Sequence, residues 1–461
     1  MPLPERRCRV LGSLPYGRPT GMSTRRLLRW RRLVLAVIVS VAAAAGCSRP
    51  DGAQTVVEFW AMGREGEVVQ QLIPEFERRT PGVRVRVQQI PWSAAHEKLL
   101  TAYVGDAMPD VVQVGNTWLP ELVALGALTP LDARLATSVA LAAGDDFPGI
   151  AEATVIAGAR YGVPWYVDTR VLFYRTDLLR AAGYDQPPAT WPAWLEAMER
   201  IAHRGGEHYA VLLPMNEWEP PVILALQRGA TLLRDGDRYG DFRNPAFRAA
   251  FEFYQGLFRR GLAPRAGAAQ SANLYQDFAA GYFSMLISGP WNLGEMARRL
   301  PGLADAWATA PLPTFEGDGP GLSLAGGASL AVVRTSPRAP AAWRWIEFLA
   351  EPAQQLAFWR LTGDLPARPS AWRDGGLGDA PRTAAFWRQL AHVRATPKIP
   401  EWERIANKIT EHAETAIRED GDVEVVLGAL DRDVDAILEK RRWMLERAAA
   451  RAAATGSEGR S

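Results

Sequence analysis

Apolar and polar residues alternate along 55–60, a pattern that is typical of a β-strand. The spacing changes over 65–79, where apolar residues recur every three or four positions as they do in an amphipathic helix. A second strand is predicted over 83–87, a helix that contains 94–104 follows, and a third strand is predicted over 108–114. Strands separated by helices of this length predict a parallel sheet with helices on both faces, which is a three-layer α/β lobe.

A second group of elements begins near residue 160. Because about 415 residues after position 46 exceed what one hydrophobic core usually holds, we expect two lobes. The predicted elements of this part are, in order, strand 171–174, helices 191–203 and 245–260, strand 283–287, a glycine-rich strand-like stretch over 322–333, and helices 340–349 and 352–361. The tail over 447–461 lacks apolar periodicity, and we expect it to be disordered.

The chain begins with features of an export signal. A basic cluster over 25–32 precedes an apolar run over 33–45, which is short of the roughly 20 residues that span a membrane. Ala44-Ala45-Gly46-Cys47 resembles the processing box of bacterial lipoproteins, in which the cysteine receives a lipid. The resemblance implies a signal peptide over 1–46, lipidation of Cys47, and anchoring to the membrane on its periplasmic or outer side. An uncleaved membrane anchor is the alternative, and Met22 is a second candidate for the start of translation.

The net charge of the chain after residue 46 argues against nucleic acid as a partner. The chain carries 53 basic and 51 acidic side chains, but residues 1–46 hold nine of the arginines and one of the glutamates. The remainder therefore has 44 basic against 50 acidic side chains, a net charge near −6. A mildly acidic body gives no support for nucleic-acid binding or for a basic membrane-facing surface.

Cysteine and histidine usage limits the chemistry further. Cys8 and Cys47 are the two cysteines of the sequence, so the exported body has none to form a disulfide. Its five histidines are scattered without metal-ligand spacing, and no GxxxxGK[ST] phosphate loop occurs. We therefore expect no metal, no cofactor and no nucleotide hydrolysis.

Six segments occur along the chain at 76–83, 105–112, 119–131, 162–179, 281–291 and 362–368. Sequences like each of them are common, but the six in this order are specific. Together they resemble one known family, the extracellular solute-binding proteins of ABC transporters, in the group that includes the maltose- and glycerol-phosphate-binding proteins.

This resemblance implies the type II periplasmic-binding-protein fold, with two lobes that are each a three-layer α/β sandwich and with extra C-terminal helices. The chain would cross between the lobes near 158–163 and 287–291. It also implies a monomer that binds a small carbohydrate and meets ABC permease subunits served by a separate ATPase. The predicted parts are a lipidated linker over 47–54, lobe 1 over 55–159 with about 292–333, and lobe 2 over 160–291 with about 334–446.

A sugar presents flat C–H faces and a ring of hydroxyls, so its site needs aromatic side chains with fixed donors and acceptors. Tryptophans in helical patterns, such as Trp343 and Trp345, are better explained by packing. The candidates at strand ends, lobe crossings or irregular segments are Trp60, Trp118, Trp165, Trp218 and Trp291. Trp291 resembles the sugar-stacking tryptophan of the family's Gly-Pro-Trp segment, with packing at a hinge as the alternative.

Polar candidates lie in the same segments. Asn116 follows the third strand, at the sheet edge where open α/β folds place ligands, and its amide both donates and accepts. Glu217 lies in an irregular stretch between two prolines, and Gly327 admits a close approach of backbone amides. The other polar candidates are Asp168 after Trp165, and Asp364 and Arg368 beside a glycine turn. Turn, packing or surface roles remain open for each of them.

The resemblance implies a binding protein rather than an enzyme, with a neutral disaccharide or short oligosaccharide, such as maltose or trehalose, as its ligand. Glycerol 3-phosphate or a related anionic ester is an alternative, which would need clustered arginines. The candidate segments offer chiefly Arg64, Arg170 and Arg368. An exported glycosidase that pairs Glu217 with Glu219 or Asp168 is a further alternative, and so is a surface adhesion lipoprotein.

Overall fold

The computed structural model describes residues 54–141, 145–203, 208–266 and 273–458, with side chains described as far as Arg451. The predicted signal segment, Cys47 and nearly all of the linker over 47–54 lie outside these ranges. Within them, no helix combines the length and the apolar character that a membrane crossing needs.

The strands of the described residues follow the chain in this order: β1 Thr55–Met62, β2 Val83–Ile90, β3 Val111–Gly115, β4 Val155–Ile156, β5 Ala159–Arg160, β6 Val163–Asp168, β7 Val171–Arg175, β8 Tyr209–Leu212, β9 Leu233–Arg234, β10 Tyr239–Gly240, β11 Phe283–Ser288, β12 Trp307–Ala310, β13 Ser323–Leu324, β14 Gly326–Val332, β15 Leu365–Pro366 and β16 Val393–Arg394. Most of them belong to two sheets.

Helices connect and cover these strands. The α-helices are Gly63–Val68, Ile73–Arg79, Trp92–Val104, Leu119–Ala124, Asp132–Leu135, Pro148–Ala153, Thr176–Ala181, Trp191–Ala202, Glu219–Gln227, Pro245–Arg259, Leu274–Ala280, Trp291–Arg299, Ala339–Leu349, Pro352–Thr362, Pro369–Gly375, Ala384–Gln389, Trp402–Arg418, Val423–Ile437 and Glu439–Glu458. Short 3-10 helices lie at Val69–Leu72, Asn116–Trp118 and Pro301–Leu303. The single helix predicted over 65–79 is therefore three consecutive helical pieces.

The first sheet has the spatial order β15-β6-β14-β3-β1-β2. Strands β1, β2 and β3 are parallel as predicted, whereas β14 runs antiparallel to both of its neighbours. Side chains alternate between its faces: Phe59 of β1 packs with Trp345 on one face, and Met62 packs with Leu99 on the other. Helices cover both faces, so the three-layer prediction is confirmed for this lobe.

The second sheet has the order β12-β7-β11-β8. Along β7, Leu172 and Tyr174 contribute to one apolar core, while Val171 and Phe173 contribute to another on the opposite face. The C-terminal helices Trp402–Arg418 and Val423–Ile437 pack into the first of these cores. The second lobe is thus also a helix-covered sheet, with the extra C-terminal helices that were predicted.

Several predicted lobe boundaries are wrong. Strand β6 was expected to open lobe 2, but it pairs with β14 in the first sheet, whereas β12 pairs with β7 in the second. Helices Ala339–Leu349 and Pro352–Thr362 pack on the first sheet rather than on the second. The chain crosses at Thr169 and Arg170, between β6 and β7, rather than near 158–163. After β11 it stays in the same lobe, because the next strand, β12, pairs with β7 in the second sheet. Hydrophobic patterning shows that a strand is buried, but not which sheet it joins.

The prediction of a disordered tail is wrong for residues 447–458. The helix Glu439–Glu458 runs through this segment. Alanine and arginine have high helix propensity, and extending an existing helix avoids the cost of nucleation. Apolar periodicity, on which the prediction rested, detects helices that pack on a core and not exposed ones. Residues 459–461 lie outside the described ranges.

Candidate functional site

A cavity of about 610 Å³ lies between the two sheets. On one side it is lined by residues at the ends of β3 and β6 and at the start of helix Gly63–Val68. On the other side it is lined by Trp218, Trp291 and Glu403, which lie on or beside helices of the second lobe. Residues that follow β1, β2 and β3 meet here because the carboxyl ends of parallel strands share one edge.

Tryptophans line the cavity from both lobes. Trp118 and Trp92 come from the first lobe, with their ring centroids 5.5 Å apart at an interplanar angle of 63°. Trp218 packs edge-to-face on Trp402 with centroids 5.3 Å apart. Trp291 is 37% exposed, an unusual value for so large an apolar side chain. The structure therefore brings three of the five candidate tryptophans, Trp118, Trp218 and Trp291, to one cavity.

The other two tryptophans lie elsewhere, so their expected place in the ligand site is corrected. Trp165 is only 1% exposed and stacks on Phe358, with centroids 4.3 Å apart, in the core of the first lobe. Trp60 lies on a shallow surface hollow, where the Lys98 Nζ is 4.8 Å from its ring centroid. Alternation along each strand explains both positions, because Trp165 and Trp60 point away from the cavity.

Three polar candidates line the cavity with defined partners. Asn116 is buried, and its Oδ1 accepts a hydrogen bond of 2.7 Å from the Ser329 hydroxyl. Asp168 lies 3.4 Å from an Arg170 nitrogen, and the backbone N–H of Asp364 donates to the Thr362 hydroxyl at 3.0 Å. Their positions are fixed by protein contacts before any ligand arrives.

Arg368 and Glu217 are not among the cavity-lining residues, which corrects their expected place. The Arg368 Nε donates to the Asp145 Oδ2 at 2.9 Å, and the guanidinium is buried in that ion pair. Glu217 lies close to the charges of Arg170 and Glu219, which do line the cavity.

Gly327 does line the cavity, but strand packing already explains why this position is a glycine. Its φ is +123°, and a Cβ there would lie 2.4 Å from the carbonyl oxygen of Tyr166 on β6. The glycine is therefore required for the pairing of β14 with β6. The expected approach of its amide to a ligand stays a prediction.

Sequence reasoning missed Glu65, Tyr166, Trp92 and Glu403. Tyr166 Oη donates to Glu65 Oε1 at 2.9 Å and accepts from Gln113 Nε2 at 3.1 Å. The Trp92 Nε1 donates to the same carboxylate at 3.2 Å. Strand alternation would have indicated Tyr166, because its neighbour Trp165 points into the core. Glu65 and Trp92 could have been found by their position, since they follow the carboxyl ends of β1 and β2. No sequence signal marked Glu403, which a C-terminal helix brings in from far along the chain.

The cavity is acidic. Two arginines line it, Arg64 and Arg170, and Arg170 already donates to Glu219 at 2.8 Å. Burial is the main cause that raises the pKa of Glu65, Asp168, Asp364 and Glu403. The shift makes these carboxyls easier to protonate; a carboxyl accepts hydrogen bonds in either form and also donates one when it is protonated. The carboxylate residues that line the cavity are Glu65, Asp168, Glu219, Glu295, Asp364 and Glu403.

A pH dependence of folding stability follows from Glu217. Burial raises the pKa of this carboxyl to about 7 from an ordinary value of 4.5, the nearby Arg170 opposes the rise, and the charges of Glu219 and Asp168 add to it. A carboxyl with a higher pKa in the folded chain binds protons more strongly there, so stability is lost as the pH rises from about 4.5 to about 7. Glu217→Gln is expected to remove roughly 2 kcal/mol of this loss, after a discount for partial solvent exposure.

Urea unfolding at pH 5 and pH 8 measures this effect in the wild type and the variant. The matched control is Glu67→Gln, on an exposed position of helix Gly63–Val68, and it is expected to leave the pH dependence unchanged. Equal pH dependence in wild type and Glu217→Gln would contradict the assignment.

Residues 60–356 match the profile of the family described as bacterial extracellular solute-binding protein, which covers more than half of the chain. The chain belongs to this family. The resemblance inferred from the order of six segments is therefore confirmed. The family consists of solute-binding proteins rather than enzymes.

Solved structures agree with the family assignment. The sugar-binding protein MalE of Xanthomonas citri is 45% identical with a TM-score of 0.80, and the match covers 85% of this chain and 99% of that one. UgpB of Mycobacterium tuberculosis, solved in complex with glycerophosphocholine, has a TM-score of 0.71 at 23% identity and covers 84% of this chain and 98% of its own, which shows the shared fold. The type II periplasmic-binding-protein fold is thereby confirmed.

A curated relative extends the comparison by sequence. The diacetylchitobiose binding protein DasA of Streptomyces coelicolor is 26% identical over 395 residues, which are 82% of this chain and 91% of DasA. Like MalE, it matches more than four-fifths of this chain.

Proposed function

We propose that this solute-binding protein binds a neutral saccharide in the cavity between its sheets and delivers it to the permease subunits of an ABC importer. A disaccharide or short oligosaccharide, such as maltose or trehalose, is the proposed ligand. The protein acts as a monomer, and ligand binding favours a closed arrangement of the lobes that the permease engages. The observation that carries the proposal is the convergence of tryptophans from both lobes on one acidic, hydrogen-bonding cavity.

The chemistry of the cavity suits hydroxyl groups. Indole rings stack on the C–H faces of a sugar, and carboxyls accept hydrogen bonds from its hydroxyls or donate to them. A cavity of about 610 Å³ lies within the usual range for small-molecule sites and has room for a disaccharide. The relatives named above, a sugar-binding protein and a diacetylchitobiose binding protein, are consistent with this ligand class.

An anionic ligand fits this cavity less well. Its carboxylate residues outnumber its two arginines, and Arg170 is already held by Glu219 and Asp168. A phosphate ester would have to displace these ion pairs and face the remaining carboxylates at short range. The same ion pairs disfavour a glycosidase, because Asp168 and Glu219 are both engaged by Arg170 and Glu217 does not line the cavity.

A calorimetric screen of the protein without its signal segment tests the ligand class. The panel is maltose, trehalose, sucrose and a β-linked oligosaccharide series, with glycerol 3-phosphate as the anionic comparison. We expect at least one neutral saccharide to bind with one-to-one stoichiometry and micromolar or tighter affinity, and glycerol 3-phosphate to give no binding heat. Binding of the phosphate ester alone, or no binding by any saccharide, would contradict the proposal.

We further propose that Cys47 carries the lipid that holds the protein at the membrane. A tether raises the local concentration of a binding protein at its permease. We expect Cys47→Ser to abolish labelling by a radioactive fatty acid and to move the protein from the membrane fraction to the soluble fraction. Cys8→Ser is the control and is expected to change neither result. Fatty-acid labelling that persists in Cys47→Ser would rule out this anchor.

A further inference from the structure

A second cavity, of about 760 Å³, lies beside the saccharide cavity and also spans both lobes. One wall is the end of helix Pro352–Thr362 of the first lobe, and the opposite wall is helix Trp291–Arg299 of the second. Residues 380–383 complete it. Arg64 and Thr362 line both cavities, so the two are neighbours.

The two cavities have opposite charge. Asp305 is the one carboxylate among the described residues that line the second cavity, whereas four arginines line it. The saccharide cavity has six carboxylate residues against two arginines. The arginines of the second cavity are Arg64, Arg298, Arg360 and Arg382. A neutral or cationic ligand has no reason to prefer this second environment, but an anion does.

These arginines retain donors for a ligand. Among the described residues, the Arg360 side chain has no hydrogen-bond or ion-pair partner, and it is exposed. Arg64 gives one N–H to the Leu361 carbonyl at 3.1 Å, and Arg298 donates from Nη2 to both carboxylate oxygens of Glu295 at 2.5 and 2.6 Å. Since a guanidinium has five N–H donors, each of these side chains keeps at least three of them for a ligand.

Arg382 is held in place at the edge of this cavity. Its Cζ lies 3.8 Å from the ring centroid of Trp307, and one N–H donates to the carbonyl of Ala304. Burial lowers the pKa of Arg382, and Asp305 partly opposes this effect. A bound anion would offset the cost of that burial.

The floor of the cavity is apolar. Trp359 contributes an aromatic surface, and the other apolar lining residues are Leu293, Ala297, Leu361, Ala380 and Pro381. An inorganic ion would leave this surface in contact with water. A molecule that joins an apolar or C–H-rich body to an anionic group fills both parts of the cavity.

We propose that this second cavity binds a small organic anion, with its body against Trp359 and Leu293 and its phosphate, sulfonate or carboxylate group against Arg298, Arg360 and Arg382. Guanidinium groups bind such groups by paired, charge-assisted hydrogen bonds. The proposal does not depend on the identity of the saccharide, because Arg298, Arg360 and Arg382 line the second cavity and do not line the saccharide cavity.

Fluorescence titration of the protein without its signal segment tests this site, with 8-anilinonaphthalene-1-sulfonate as the probe. The test variant is Arg298→Gln combined with Arg360→Gln. Both side chains are exposed, so folding is expected to be retained, and Glu295 keeps its ion pair with Arg299 at 2.8 Å. The matched control is Arg432→Gln, at an exposed position of helix Val423–Ile437. Circular dichroism of each variant verifies the fold.

We expect the double variant to bind the probe at least about tenfold more weakly, and Arg432→Gln to bind it like the wild type. Glucose 6-phosphate is expected to displace the probe, whereas glucose is not. Three results would overturn the proposal: unchanged probe affinity in the double variant, equal affinity for the neutral probe N-phenyl-1-naphthylamine, or loss of probe binding in Trp291→Ala. The last result would place the probe in the saccharide cavity. Saccharide binding by the double variant is measured separately: if the saccharide still binds, a failure of the anion site leaves the proposed function intact.

Discussion

Trp291→Ala is expected to weaken saccharide binding about 100-fold and to abolish the change in intrinsic fluorescence that accompanies it. The ring lies on the second-lobe side of the cavity and is 37% exposed, so it offers stacking surface without being a core residue. Arg170 lies with its Cζ 4.6 Å from the ring centroid, which helps to hold the indole in place. Loss of a central tryptophan contact costs about 3 kcal/mol in binding sites of this kind.

Calorimetry with the saccharide identified by the screen measures the affinity, and tryptophan emission measures the optical response. Trp443→Ala is the matched control, because Trp443 is 52% exposed on helix Glu439–Glu458 and does not line the cavity. It is expected to retain wild-type affinity. Wild-type affinity in Trp291→Ala, with the screen positive, would mean that Trp291 packs at the lobe boundary and does not bind the sugar.

Gly327→Ala is expected to lower the free energy of unfolding by roughly 3–5 kcal/mol. The methyl group would meet the Tyr166 carbonyl oxygen at 2.4 Å and the Asp168 backbone nitrogen at 3.2 Å, at a φ of +123° that side chains rarely adopt. These contacts are backbone atoms of a paired strand, so they cannot move aside as the end of a flexible side chain can. Since Tyr166 and Asp168 line the saccharide cavity, affinity is expected to fall as well.

Urea unfolding measures the change in stability, with Gly256→Ala as the matched control. Gly256 lies within helix Pro245–Arg259, and a Cβ there would meet nothing within 4 Å. Alanine is the better helix former, so this variant is expected to be as stable as the wild type or more stable by up to about 1 kcal/mol. A Gly327→Ala variant as stable as Gly256→Ala would show that β14 and β6 separate readily.

The spacing of apolar residues along the chain predicted several strands and helices well. Alternation over 55–60 and the helical spacing over 191–203 and 245–260 predicted β1 and two helices whose observed bounds differ by a few residues. Each of these patterns reflects the burial of one face, which depends on neighbouring positions in the chain. The helix Glu439–Glu458 was missed for the same reason, because most of its side chains as far as Arg451 are exposed and leave no apolar pattern.

The candidate site was predicted in part. Asn116, Trp118 and Trp291 were predicted near strand ends or lobe crossings, and the structure brings all three to the cavity. Trp165 was a candidate, but strand alternation places its ring in the core and brings its neighbour Tyr166 to the cavity. Residue type alone does not say which face of a buried strand meets the ligand.

The sequence by itself indicated the family, several of the strands and helices, and several side chains that line the cavity. Only the tertiary structure decided that β6 joins the first sheet, that Glu403 reaches the cavity, and that an acidic cavity and an arginine-lined one lie side by side. The reason is physical: periodicity records how each residue is buried relative to its neighbours along the chain. Strand partners and the charge of a cavity depend instead on which distant surfaces meet, as when Ser329 bonds Asn116 across 213 positions.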